Sequence, residues 1–474
     1  QRVRDRLRRE RLVGQRVGVG RDRDAVSASA HELRLAHAVE VAQLGDGDPV
    51  DQPRGLLYVD ALRRGTVPAA GLDQLAVGLD QLEPVIAEEL DKVAGGAAVF
   101  KAIRGEYGSG KTFASRWIQQ HALARNFAVA EVQISELETP LHKLETVYRR
   151  ATESLRTTAF GSGGFRMVLD TWLYQVEKDS HGSDQVAESI VEQRLAAVAA
   201  SAPVFPLALR SYRQAVVEDD VTTADGLAAW LGGQPSVAAS IKRRAGVKSE
   251  LDHYTAMGFL RGLVEILRGS DHAGLVLVLD EVETLQRMRA DSREKALNAL
   301  RQWIDEIDAG HYPGLYLLIT GTTAFFEGNQ GVRRLPPLDS RLRVDFSGDP
   351  RWDNPRLPQI RLQGFTRNRL VEVGLKVRDL YVAGSPAGDR ILAFADDSFI
   401  ADLADAVAGA LGGRVGVAPR QFLRTLVDVL DRIELHPSFD PRADYSVSIP
   451  ESSMSESERA AAHGVVTNPD DIEL

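Results

Sequence analysis

The segment Gly105-Glu106-Tyr107-Gly108-Ser109-Gly110-Lys111-Thr112 constrains this chain more than any other. It has the spacing Gly-x4-Gly-Lys-Ser/Thr and stands between an apolar run at residues 97–103, which reads as a short buried strand, and a helical pattern at 113–123. Strand, glycine-rich turn and helix in that order form a phosphate-binding unit. The glycines let successive backbone N–H groups curl around phosphates, and the helix opening at Gly110 and Lys111 turns its positive end toward them. On this reading Gly105, Glu106, Tyr107, Gly108, Ser109, Gly110, Lys111, Thr112 and the adjoining Phe113 line a nucleotide. Lys111 bridges the β- and γ-phosphates, and Thr112 gives its hydroxyl to Mg²⁺, a small hard cation that prefers oxygen. ATP and Mg²⁺ are the expected cofactors. The alternative is a glycine-rich surface turn.

A second segment supplies the acids such a site needs. Leu275-Val276-Leu277-Val278-Leu279 is an apolar strand that ends in Asp280-Glu281, and open α/β sheets bind ligands at that edge. Asp280 is expected to hold Mg²⁺ through water. Glu281 is expected to orient the attacking water, because phosphoryl transfer is catalysed mainly by positioning and charge. The competing reading is two acids at the start of a solvated helix, which favours negative charge there. A third strand, 315–319, ends in Thr320-Gly321-Thr322. Thr320 and Thr322 are candidates to sense the γ-phosphate, or they simply finish a strand and cap a helix.

Alternating strands and helices imply an α/β fold with a parallel, doubly wound sheet. Strands are expected at 97–103, 127–134, 274–279 and 315–320, with an edge strand near 359–362. An amphipathic helix is expected from Leu72 through Leu90. The nucleotide-binding domain spans 57–363 and contains a helical insertion at 136–252. An all-helical lid follows at 364–436, with helices at 367–380, 399–411 and 419–433, and then a loose acidic tail at 437–474. The first 56 residues are arginine-rich, contain no lysine and hold no period. They are either a basic arm, or a disordered or non-native leader, and compositional bias alone favours the latter.

Composition excludes several classes. With 57 basic and 67 acidic residues the net charge is −10, so no global positive field draws the chain to DNA or anionic lipid. Any nucleic-acid contact must be local; Lys242-Arg243-Arg244 is the best cluster for it, or else a solvated helix face. There is no cysteine, which removes disulfides, cysteine-ligated zinc and thiol nucleophiles. No apolar run approaches the ~20 residues needed to cross a bilayer, so no membrane contact and a cytoplasmic location are expected.

These segments resemble the AAA+ P-loop ATPases, within the broader ASCE group, and especially the origin-recognition and initiator branch. Residues 75–83 resemble the element whose backbone lies near the adenine, which implicates Val77 and Gly78. Leu338-Asp339-Ser340-Arg341-Leu342 resembles the arginine-finger segment, so Arg341 would act on the nucleotide of a neighbouring copy in a homo-oligomer. Pro419-Arg420-Gln421-Phe422 resembles the second sensor, with Arg420 facing the γ-phosphate. More tightly, residues 61–68, Asp280-Glu281-Val282-Glu283-Thr284-Leu285 and 416–424 resemble the BrxD family of BREX ATP-binding proteins. That resemblance covers residues 58–445 and implies bacterial phage defence beside a DNA helicase and other defence proteins. Long insertions depart from a plain AAA+ core and put ring geometry in doubt.

Several readings compete. The leading one is an ATP-driven switch or remodeller acting on DNA with partners. The others are a nucleotide-binding signalling scaffold with little hydrolysis, an origin-recognition-like DNA loader and, more weakly, a small-molecule kinase. Leu231-Gly232-Gly233-Gln234 is similar to the ABC-transporter signature, but it lacks the preceding serine and stands 46 residues before Asp280.

Overall fold

The computed structural model describes residues 54–247, 251–411 and 419–454, together with 458, 459, 462 and 463. The expectations for the leader before residue 54, for 416–418 and for the end of the tail lie outside the described residues.

Five strands form one parallel sheet: β1 Val99–Arg104, β2 Ala128–Gln133, β3 Leu275–Asp280, β4 Leu315–Gly321 and β5 Gln359–Arg361. Their order is β2-β3-β4-β1-β5, so β4 lies between the strand before the phosphate loop and the strand that ends in the acids. Register then sets what meets at the edge. Ile103 pairs with Thr320 and Leu279 with Ile319, so Asp280 emerges level with Thr320 and one strand from the start of the loop.

Both faces of the sheet are covered, which is why its strands read as continuous apolar runs. Ile103, Val129, Val276, Val278, Tyr316 and Leu318 face helices α1 Glu83–Ala94 and α2 Lys111–Ala124, where Ile86, Leu90, Trp117 and Ile118 are buried. Ala102, Ala130, Leu277, Leu279, Leu317 and Ile319 point the other way. Onto that face pack α3 Leu144–Ser154, α4 Phe165–Asp179, α5 Val204–Val217, α6 Val221–Leu231 and α7 His253–Gly269, followed in the chain by α8 Ala290–Asp308. The insertion therefore shares one continuous core with the sheet instead of standing apart. One close crossing is at Gly262 of α7, where a Cβ would stand 2.6 Å from the Phe205 ring.

The helical unit expected as the lid consists of α9 Arg367–Gly384, α10 Asp397–Ala410 and α11 Pro419–Leu435, with a short helix at Gly388–Phe394. Three expectations change here. Residues 57–63, assigned by sequence to the nucleotide-binding domain, belong to a helix Arg54–Arg63 that packs on the lid: Val59 and Leu62 join its core, and Arg63 bonds Asp431 at 2.7 Å. The helix expected from Leu72 begins only at Glu83, because Gly78 adopts φ +72° and Pro84 opens the helical segment. The chain after 437, expected to be loose, lies across the lid as far as Met454, with Tyr445, Val447 and Ile449 packed on the same core.

A buried ion pair ties the site's rim to the sheet. Lys101 of β1, 2% exposed, meets Glu89 of α1 at 2.5 Å and donates to the carbonyls of Pro355 and Leu357 at 3.0 and 2.9 Å. The Tyr316 hydroxyl donates to the other oxygen of Glu89 at 2.8 Å. Lys101→Ala would strand the Glu89 charge and release the 355–357 segment, so a loss of about 3–5 kcal/mol is expected. A fall of several degrees in the calorimetric unfolding midpoint would report it, and an unchanged midpoint would contradict it.

Candidate functional site

Between β1 and α2 the chain turns through Gly105–Gly110 in a conformation that only glycines allow. A Cβ on Gly105 would stand 2.4 Å from Ser109 Oγ and 3.0 Å from the Leu362 carbonyl, and Gly108 and Gly110 adopt φ of +80° and +89°. Lys111 opens α2, is 9% exposed and curls back over the loop: its Nζ donates to Gly105 O at 2.9 Å and Glu106 O at 3.3 Å. The Tyr107 ring lies 5.1 Å from it and Glu283 Oε1 3.8 Å.

The acids meet this loop across the sheet edge. Thr112 Oγ1 donates to Asp280 Oδ2 at 3.3 Å, although the two are 168 positions apart. The Thr320 hydroxyl donates to Asp280 Oδ1, and the Glu281 N–H donates both to that oxygen at 3.1 Å and to Thr320 Oγ1 at 3.2 Å. Asp280 is 6% exposed; burial pushes its pKa up, while the Thr320 bond pulls the other way. Glu281 sits at φ +60°, a costly region for a non-glycine residue, and its Oε2 accepts from Gln133 Nε2 at 3.0 Å. Thr322 instead caps the short helix Thr323–Glu327, so the capping alternative holds for it and not for Thr320.

A cavity of about 770 Å³ opens at these groups, lined by Lys111 and Asp280 together with Val77, Gly78, Arg369 and Arg420. Lys376 of the lid fixes the Val77 segment by donating to Ala76 O at 2.5 Å. Arg420 is held by Gly65 O at 3.2 Å. The donor set suits a nucleotide and a hard cation: hydroxyl and carboxylate oxygens converge, and the buried Ser109 Oγ and Glu283 Oε2 have no partner among the described residues.

Arg341 lies off this cavity, bonded to Asp305 of α8 and to Pro337 O at 2.6 Å. Of the basic cluster, Arg244 is already engaged by Glu218 and Asp220, which removes its charge from any nucleic-acid contact in this conformation. The Leu231–Gln234 stretch ends α6, where Leu231 O and Gly232 O accept from Tyr148 and Thr152 of α3; it forms a helix end and no part of the cavity. Gln133, Glu283 and Arg369 were missed in the sequence. Gln133 pairs in register with Asp280, so the polar end of an apolar strand, the signal that exposed Asp280 and Thr320, pointed to it as well.

A parallel sheet with a glycine loop and convergent acids at its carboxyl edge defines an α/β nucleotide-binding protein. The model of the BREX system ATP-binding protein BrxC/D family matches residues 55–448. The chain belongs to that family. No curated protein matches it. Lys111→Ala removes a charge-assisted donor worth about 1.5–3 kcal/mol, so its affinity for ATP is expected to fall about tenfold to 150-fold in calorimetric titration. Undiminished affinity would remove Lys111 from the site.

Proposed function

We propose that the protein is a Mg²⁺-dependent ATPase of the AAA+ type that works as a nucleotide-driven switch or remodeller with other BREX proteins, on DNA, in phage defence. The observation that carries this reading is the hydrogen-bonded chain Thr112–Asp280–Thr320–Glu281, which joins the ends of β3 and β4 to the first turn of α2 at one point. In it Lys111 and the loop amides hold the phosphates, and Thr112 and Asp280 would hold the cation. Mg²⁺, when bound, neutralises phosphate charge. Thr320 orients the Asp280 carboxylate by its hydrogen bond. Glu281 orients water for attack, and Gln133 fixes the carboxylate that does so.

Membership in a BREX family implies other BREX components as partners. A DNA helicase among them, DNA itself and a homo-oligomer are the finer parts of the proposal. In such an oligomer Arg341 would have to leave Asp305 to reach a neighbour's γ-phosphate. Arg420 at the head of α11 would bring the lid down on the nucleotide. No helix among the described residues is long and apolar enough to cross a membrane.

One observation favours the second reading, a nucleotide-held scaffold with little turnover: Glu281 is already tied to Gln133. Steady-state ATP hydrolysis of the purified protein, with and without DNA, separates the two. Glu281→Gln is expected to lower turnover by about two orders of magnitude or more while ATP still binds. Wild-type turnover indistinguishable from that variant would favour the scaffold.

A further inference from the structure

Arg420 carries an anion supplied by the protein itself. Its Nη1 donates to Oε2 of Glu458 at 3.0 Å, and Nε2 of the adjacent Gln421 donates to the same oxygen at 3.0 Å. The Glu458 side chain is 4% exposed, against 42% for Arg420. Burying a carboxylate this far is costly without charged and hydrogen-bonding partners, and here both are provided. Described residues before and after Glu458 are independently docked. Arg442 bonds Asp396 at 2.8 Å and Ser398 at 2.7 Å, Tyr445 lies under Arg432, and Met454 and Ala462 pack on the lid core. On the cavity side the approach of Arg420 requires glycine at 65, where φ is +70° and a Cβ would stand 3.3 Å from its Nε.

We propose that Glu458 is a selectivity latch, its carboxylate taking on Arg420 the place that the terminal phosphate of a nucleoside triphosphate would take. This rests on the nucleotide-binding reading of the cavity. A guanidinium presents one planar fork to carboxylate and phosphate alike, so strap docking and triphosphate binding compete for the same cation. Arg420 and Lys111 line the same cavity. A triphosphate extends one phosphate further than a diphosphate, so the competition discriminates between them. Release of the strap from the lid then turns the presence of a third phosphate into a change of outer surface.

The test uses the full chain. Glu458→Gln keeps the side chain's volume and removes its charge. Calorimetric titration should show a slowly hydrolysed ATP analogue binding about two- to fivefold tighter, the range of a partly exposed ion pair, with ADP unchanged. Adding Arg420→Gln should abolish that gain. In the wild-type chain, amide hydrogen exchange at residues 454–463 should rise with the triphosphate analogue and not with ADP, a readout that needs no variant to fold. Weaker analogue binding by Glu458→Gln would make Glu458 an orienting partner of Arg420 and overturn the latch, as would an equal effect on ADP or unchanged exchange. Failure of either nucleotide to bind the wild-type chain would overturn the reading of the cavity itself, and the latch with it.

Discussion

The Asp280 carboxylate is the point on which the molecule is organised. Buried at the edge of a sheet covered on both faces, it could not persist there without partners. It has three: the Thr320 hydroxyl, its own chain's next N–H, and the Thr112 hydroxyl from the helix after the phosphate loop. Each partner comes from a different stretch of sequence, and only the register of β1, β4 and β3 brings them level. The sheet is thus a device for holding one acid beside one glycine loop.

The rest of the fold makes that edge respond. The loop's walls come from the segment at 65–79 and from the lid, and the two are linked by Lys376 to Ala76 O, by Arg420 to Gly65 O and by the helix Arg54–Arg63, which packs on the lid although it opens the described chain. Lys101 and Glu89 hold the opposite rim from beneath. On the proposed reading, a change at the phosphates reaches the lid through Arg420. The second reading differs only in how often hydrolysis resets that change.

What was legible in the sequence was what short range decides. Strand-loop-helix at Gly105–Thr112, the apolar run ending in Asp280, and the polar end of β4 each combine a local period with a local exception, and the structure brings all three together. Gln133 carried the same signature but ends β2, a strand whose burial is less uniform, and it passed unnoticed. What was not legible depends on distance. The helix Arg54–Arg63 has no strong apolar stripe and takes its place from the lid's core. The tail after 437 looks acidic and loose, yet a few apolar residues, Tyr445, Val447, Ile449 and Met454, dock it. Arg244 read as part of a DNA-contacting cluster or a solvated helix face because Glu218 and Asp220 meet it only in the fold. The insertion read as a helical subdomain inside the nucleotide-binding domain because sequence gives its helices and not the sheet face that they cover.

The most direct test of the central claim is a crystal structure of the protein with Mg²⁺ and a non-hydrolysable ATP analogue. The account predicts Lys111 Nζ within about 3 Å of phosphate oxygens, ordinary hydrogen-bond distance, with Thr112 and Asp280 turned to the cation in the same cavity. An analogue bound elsewhere, or phosphates at the glycine loop with the cation held away from Asp280, would contradict it.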